Sequence, residues 1–379
     1  MRKTKLIGLS LLIAGSVISC GPKGNNSVTT VKDSDGNILT LCDYSKVNDT
    51  IDIPLSEWVE DCQLIRFENK DTALFKLWWP VISSNYIGIR QSEGAFKLFD
   101  RNGKFLHDIG KVGQGPGEYS GSIYDEIIDE TADAIYLAPF FNSSKILKNN
   151  MDGTFARDIE VGEKMNKPKI ALNNDGSVSM IHLCFENQSK IFSAVIDKTG
   201  KATSYKGKAG QIVNPLDKEG NYVGFDNEIW SYKNTPEFTY MITGNDTLFV
   251  YNPKDGNSKP RFTVTNLPKN ETFFSIYLEL PQKYIANFWG KGVIVVDKAT
   301  NDSHYVRLKN DKFGGINAPF NFTNGYFFAM YEPALLMEKI EKRLSESSCT
   351  EKDKTVLNKL LDSLNEDDNN VMFVGKLKK

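Results

Sequence analysis

Five short stretches rich in Asp, Asn and Gly recur along this chain, and they limit its possible folds more than any other feature. Asp100-Arg101-Asn102-Gly103-Lys104 follows an apolar run ending at Phe99, and Asn149-Asn150-Met151-Asp152-Gly153-Thr154 follows Lys148. Asp197-Lys198-Thr199-Gly200-Lys201, Asn252-Pro253-Lys254-Asp255-Gly256 and Asp297-Lys298-Ala299-Thr300-Asn301 repeat the pattern after Ile196, Tyr251 and Val296. Asp, Asn and Gly tolerate left-handed backbone angles, so each stretch reads as a tight turn joining two strands. The turns begin roughly 45 to 55 residues apart, the length of one four-stranded propeller blade.

The segments between the turns agree. Tyr86 to Arg90, Phe96 to Phe99, Phe105 to Ile109, Ala134 to Leu137, Lys190 to Ile196, Thr247 to Tyr251 and Gly292 to Val296 are short runs rich in Val, Ile, Phe, Tyr and Thr. No strand alternates with a long helix, which disfavours a parallel α/β sheet. A sixth unit departs from the pattern. Phe320 to Tyr331 reads as two strands around Asn324-Gly325, and about 333–364 reads as two helices, with Leu335, Leu336, Ile340 and Leu344 and then Leu357, Leu360, Leu361 and Leu364 at helical spacing. The chain returns to strand at 371–377, where it can close the ring with Gln63 to Phe67 and so remove exposed sheet edges. The expected fold is an all-β, six-bladed β-propeller over 51–379, with a short helical hairpin inserted in the last blade.

The N-terminus carries an address. Arg2, Lys3 and Lys5 precede a short apolar run, Leu6 to Ala14, and Val17-Ile18-Ser19 leads to Cys20. The run is too short for the roughly 20 residues that a membrane-spanning helix needs. It resembles a bacterial lipoprotein signal peptide (1–19), which implies that Cys20 is lipidated and begins the mature chain, and that the protein is held at a membrane by acyl chains. Residues 20–50, polar and turn-rich, then read as a tether. In the surface-exported lipoproteins of some Gram-negative gut bacteria acidic residues closely follow that cysteine; Gly21-Pro22-Lys23-Gly24-Asn25 has none, so the resemblance implies the periplasmic side of the outer membrane.

Further along, the motifs carry a second resemblance. Ile53-Pro54-Leu55-Ser56, Leu64-Ile65-Arg66-Phe67, Leu98 to Phe105, Gly113-Gln114-Gly115-Pro116-Gly117-Glu118-Tyr119 and Asp367-Asp368-Asn369-Asn370-Val371 resemble the six-bladed β-propeller lipoproteins of Gram-negative gut bacteria. Asn370 stands where that family often has proline. The resemblance implies fold and address, since the family is largely without assigned activity.

Candidate sites are few. Gly113 to Tyr119 lacks the Gly-Lys-Ser/Thr of a phosphate loop, and Pro116 removes a backbone donor, so it reads as a crossover between blades fixed by Glu118 and Tyr119. After Cys20, the cysteines are Cys42, Cys62, Cys184 and Cys349. Export permits disulfides, and Cys42 with Cys62 is the preferred pair, with free buried thiols the alternative. His107, His182 and His304 are isolated and no Cys-x-x-Cys occurs, so neither a metal site nor a cofactor is expected. Lys+Arg of 46 against Asp+Glu of 48 gives a net charge of -2, which disfavours nucleic acid.

Aromatic residues near strand ends remain: Trp78-Trp79, Phe140-Phe141, Trp230 with Tyr232, and Phe288-Trp289. Trp78, Trp79, Trp230, Tyr232 and Trp289 are the expected ligand-binding residues, since flat rings stack on sugar faces or peptides, although propellers also pack such rings between blades. Asp125, Glu126, Asp129 and Glu228 could pair for acid–base chemistry. The expected role is a non-catalytic binding module for a glycan, peptide or envelope protein. The alternative is a periplasmic lyase or hydrolase with its site in the central channel.

Overall fold

The structure, a computed structural model, describes residues 26–379 except 187–189, 209, 218 and 269–273. The expected signal peptide, 1–19, and the expected lipidation site, Cys20, lie outside the described residues.

Six four-stranded antiparallel sheets follow one another as the blades of a β-propeller. The first blade holds Leu77–Ile82, Tyr86–Gln91, Phe96–Asp100 and Phe105–Ile109. The second holds Ile123–Asp129, Ala134–Pro139, Phe141–Asn150 and Phe155–Asn166, and the third Lys169–Leu172, Val178–Ile181, Ile191–Ile196 and Ala202–Lys206. Ile229–Trp230, Phe238–Ile242, Thr247–Tyr251 and Ser258–Thr265 form the fourth; Ser275–Glu279, Lys283–Phe288, Gly292–Asp297 and Ser303–Asn310 form the fifth. The sixth is built from Phe322–Thr323, Tyr326–Tyr331, Val371–Leu377 and, from the other end of the chain, Val59–Arg66.

All five recurrent turns join the third strand of a blade to its fourth. The Asp or Asn side chain closes the turn locally: Asp100 Oδ1 accepts from the Asn102 and Lys104 amides at 2.8 and 3.0 Å, and Asp197 Oδ1 does the same for Thr199 and Lys201 at 2.8 and 3.0 Å. Gly103 and Gly200 sit at φ 86° and 92°; in the fifth blade Asn301 takes the left-handed position at φ 58°.

The ring closes through both termini. Phe373 pairs with Leu64 and Val374 with Gln63 on one side, while Phe328 and Ala329 flank the same strand on the other. The hydrophobic core is divided accordingly: six clusters of buried side chains lie between neighbouring blades. Leu98 and Ile135 belong to the cluster between the first and second, and Ile65, Ile87, Phe328 and Met372 to the one that seals the sixth against the first. Two helices, α1 (Pro333–Ser345) and α2 (Glu351–Leu361), are inserted between the second and third strands of the sixth blade. Leu336, Ile340, Leu357 and Leu360 are buried against that blade, and Thr350 with Asp353 forms a capping box that starts α2.

Two expectations are corrected. Residues 28–50 are not a loose tether. Val28–Lys32 and Ile38–Asp43 form a hairpin about the Asp33–Gly36 turn, and the second strand adds in parallel to the outer edge of the fourth blade, Thr40 opposite Phe262. Thr50–Pro54 adds likewise to the fifth, Ile51 opposite Val306. β-Branched and apolar residues in these short runs match the exposed strand edges that an open blade leaves. The Cys42–Cys62 pair is also absent: both are free thiols, buried in different clusters, Cys42 between the fourth and fifth blades and Cys62 between the fifth and sixth. Burial pushes the Cys42 thiol up to about 11 and the Cys62 thiol to about 12.

Candidate functional site

The first strand of each blade lines the central channel, so residues far apart in sequence converge at its mouth. There a cavity of about 500 Å³ is lined by Trp78 and Trp79, Tyr124 to Glu126, Lys169, Glu228 and Trp230 to Lys233, Phe274 and Ile276, Trp289, and Thr323 with Asn324. Every blade contributes. Arg90, from the second strand of the first blade, completes the lining from beneath.

All five aromatic residues expected from the sequence meet here. On one side Trp230, Phe274 and Trp289 stand edge to face, with centroids 5.7 and 5.3 Å apart. Trp289 is 65% exposed and Phe274 42%. Opposite them, Trp78 packs its edge against Tyr124 and Phe140 at 6.3 and 5.8 Å. Trp79 and Tyr232 sit deeper, 5.7 Å apart, with Trp79 also 5.0 Å from Phe328. These two therefore serve the blade packing as well as the cavity wall.

Beneath the rings lies a charged floor whose carboxylates were among the candidates in the sequence and whose cations were not. Asp125 Oδ2 meets Lys233 Nζ at 2.7 Å and accepts from the Ile170 amide at 2.8 Å, while Lys169 Nζ stands 3.7 Å from Asp125 Oδ1. Arg90 Nε is 3.7 Å from Glu126 Oε2, and its guanidinium lies 4.9 Å from the Trp78 ring centroid. Lys169 Nζ sits 4.4 Å from the Tyr124 centroid. Beside them Glu228 takes an ion pair from Lys167 and a hydrogen bond from the Tyr124 hydroxyl, and Lys167 also donates to Asn227 O at 2.7 Å.

Burial and charge act in opposite senses on these groups. Burial raises the Asp125 carboxyl, but Lys233, Lys169 and Arg90 outweigh it and hold the group below its usual range. Glu126 is raised by burial, which Arg90 offsets only in part. Burial lowers the Lys169 ammonium to about 8 despite Asp125.

The backbone is unusual at the same place. Among the described residues eight other than glycine have positive φ, and six of them are Asn or Asp; the other two are Lys167 at 49° and Lys233 at 55°. A lysine in that region is strained, and such strain concentrates at ligand sites.

Of the four carboxylates singled out in the sequence, Asp125, Glu126 and Glu228 reach the channel, each engaged with a cation. Asp129 instead accepts from the Thr131 and Ala132 amides at 3.1 Å, capping a turn. Gly113 to Tyr119 lies between the first and second blades: Glu118 Oε2 accepts from the Gly115 amide at 2.9 Å, Glu118 pairs with Lys111 at 2.8 Å, and Tyr119 donates its hydroxyl to Gly94 O at 3.0 Å. His107, His182 and His304 fall on the first, third and fifth blades, and among the described residues no three His, Cys, Asp or Glu side chains gather as a metal site.

Arg90, Lys167, Lys169, Lys233 and Phe274 are the residues that sequence reasoning missed. One signal was present. Arg90 follows the apolar run Tyr86-Ile87-Gly88-Ile89 within one strand, and a charge there needs a buried partner.

The family described as a domain of unknown function, DUF4934, matches residues 42–376. The chain belongs to this family. Its matched region starts in the second N-terminal strand and ends in the closing strand, so it takes in the complete ring. Among solved structures, a putative exported protein from Bacteroides fragilis is 16% identical, with a TM-score of 0.58 over 87% of this chain and 100% of that one. A streptogramin B lyase structure is 14% identical, with a TM-score of 0.41 over 75% of this chain and 78% of that one, too low a similarity to bear on fold or function. No curated protein matches.

Proposed function

We propose that this DUF4934 protein is an exported cell-envelope binding module whose ligand site is the aromatic mouth of the propeller channel. One observation carries the reading: four of the chain's five tryptophans, Trp78, Trp79, Trp230 and Trp289, turn to a single cavity, while the fifth, Trp58, is buried core. Rings left partly exposed in a cavity forgo burial that packing would give them, and a ligand with apolar faces restores it. A glycan, a peptide or an envelope protein meets that description.

The experiment is a thermal-shift screen of residues 27–379 against glycans, peptidoglycan fragments and short peptides, followed by titration of hits on Trp289→Ala and Trp230→Ala. A ligand present at about 100 times its Kd stabilises the native state by roughly 2.7 kcal/mol. Hits whose affinity falls at least tenfold in the tryptophan variants support the site; hits indifferent to both variants remove it from the mouth.

The address belongs to the same proposal. The N-terminal sequence supports lipidation at Cys20 and attachment to the periplasmic side of the outer membrane. Cys20→Ser is expected to move the protein from the membrane fraction to the soluble one, and persistence in membranes refutes the anchor. Protection of the anchored protein from protease added to intact cells supports the periplasmic side.

The alternative, a lyase or hydrolase, draws on Lys169. An ammonium brought to about 8 is partly neutral near pH 7 and can accept a proton. New reducing ends or unsaturated products released from glycans by the wild-type protein, and lost in Lys169→Met, would favour it over simple binding.

A further inference from the structure

The floor of the cavity has more positive charge than it can neutralise. Glu228 and Lys167 form a pair of their own, closed by the Tyr124 hydroxyl and Asn227 O. That leaves Arg90, Lys169 and Lys233 facing only Asp125 and Glu126. The side chains of Arg90 and Lys169 are 7% and 9% exposed, so bulk water screens them little.

Hydrogen bonding points the same way. Arg90 Nε is buried without a hydrogen-bond partner, since 3.7 Å to Glu126 is an ion-pair distance and too long for a bond. The buried Glu126 Oε2 and Ser231 Oγ also lack partners, and all three residues line the cavity. Buried polar groups in folded proteins are nearly always satisfied, so three orphans around one cavity mark where a ligand's polar atoms go. A guanidinium presents a planar fork that matches a carboxylate, and Ser231 suits a ligand hydroxyl.

We propose that the channel mouth binds an acidic saccharide, with a hexuronate residue laying its pyranose face on the tryptophan wall and its carboxylate on the Arg90 and Lys169 floor. This rests on the mouth being the ligand site. A hexuronate carries its carboxylate directly on the ring edge, so one sugar unit spans both the rings above and the cations below. Its hydroxyls reach Ser231 and Glu126. A neutral sugar satisfies the tryptophans and leaves the surplus charge bare.

The test uses calorimetric titration of residues 27–379 with oligogalacturonides, oligoglucuronides and oligomannuronides, each beside its methyl ester, together with neutral hexose oligosaccharides and carboxylate-ended aromatic peptides. The expected result is that at least one acid binds and that its ester binds at least tenfold more weakly. Lys169→Gln is expected to lower affinity for the acid while leaving the ester unchanged. Arg90→Lys, which keeps the charge and loses the fork, should also weaken the acid, and both variants are checked for wild-type melting first. Should either fail to fold, the acid–ester comparison on the unaltered protein decides alone. Equal affinity for acid and ester, or binding of neutral sugars only, overturns the acidic preference while the tryptophan site survives. Peptide binding without saccharide binding overturns the sugar assignment. Silence from every saccharide overturns the proposal, and the broader screen with Trp289→Ala then decides whether the mouth is a site at all.

Discussion

Lys233, just beyond the first strand of the fourth blade, brings its ammonium to 2.7 Å from Asp125 Oδ2 on the second blade, passing over the third. Lys233 Nζ also donates to Glu126 O at 2.9 Å. Blades that share no strand are thus tied across the channel by one buried ion pair, and the backbone of Lys233 holds a left-handed conformation to make it.

Breaking that pair from one side leaves charge uncompensated. Asp125→Ala strands Lys233 and Lys169 together and is expected to cost about 3–5 kcal/mol in urea unfolding. The double variant Asp125→Asn, Lys233→Met removes both charges and is expected to regain part of the loss. A double variant as unstable as the single one would show that Asp125 acts mainly through the Ile170 amide.

His182 gives the fold a pH dependence. Its ring is buried, with Nδ1 3.0 Å from Leu183 O, and burial lowers its pKa from 6.5 to about 4. The unfolded chain therefore takes up a proton as pH falls through 6.5, and the folded one only near 4. Stability is expected to fall by up to about 3 kcal/mol across that window, with no contribution above it. Unfolding curves of His182→Gln, whose slope against pH should be flatter between 6.5 and 4, check this; equal slopes would reject it.

Lys169 gives ligand binding a pH dependence of its own. Arg90, Asp125, Glu126 and Lys233 face it, and the Tyr124 ring lies beneath it. Its ammonium is charged below about 8 and increasingly neutral above. Affinity for a carboxylate ligand is expected to weaken as pH rises through 8, and the weakening should disappear in Lys169→Gln. A wild-type profile flat from pH 7 to 9 contradicts the assignment.

The thiols give a direct chemical check. With Cys42 and Cys62 reduced and raised well above neutrality, a thiol reagent at pH 7.5 is expected to react slowly with native protein and readily with denatured protein. Reductant should leave the melting temperature unchanged. A drop on reduction would indicate a disulfide.

The closing strand is the most sensitive part of the ring. Val371, Met372, Phe373 and Val374 are all buried, and Phe373→Ala is expected to cost about 3–5 kcal/mol. Deleting 371–379 should replace the cooperative melt with a broad one; a truncated chain that melts as sharply as the whole would argue against closure by the C-terminus.

The ring was legible because its turns are local chemistry. Asp100 and Asp197 close their own loops with their own side chains, so the motif survives in the sequence. Only five turns are visible because the sixth blade takes its outer strand from Val59–Arg66, and no turn is needed there. The strands at 28–54 were hidden because a polar segment with brief β-branched runs reads as a linker until the edge that receives it is known. The aromatic wall could be guessed residue by residue, for Trp and Tyr near strand ends are conspicuous. Of the charged floor only the carboxylates could: Arg90, Lys169 and Lys233 come from three different blades, and their pairing with Asp125 and Glu126 on a further blade arises only when the ring brings them together.

The N-terminal strands also fix the order in which the molecule can be assembled. Ile38–Asp43, Thr50–Pro54 and Val59–Arg66 are synthesised first, yet their partners are Ser258–Thr265, Ser303–Asn310 and Val371–Leu377, and even the nearby Ser56 to Asp311 hydrogen bond spans 255 residues. Three strands therefore wait for these distant partners, Ile38–Asp43 paired until then only with Val28–Lys32, and Val59–Arg66 waits until the very end of the chain has been made. The start of the chain behaves as a clasp fastened last, and the growing chain must be kept from tangling until its final residues arrive.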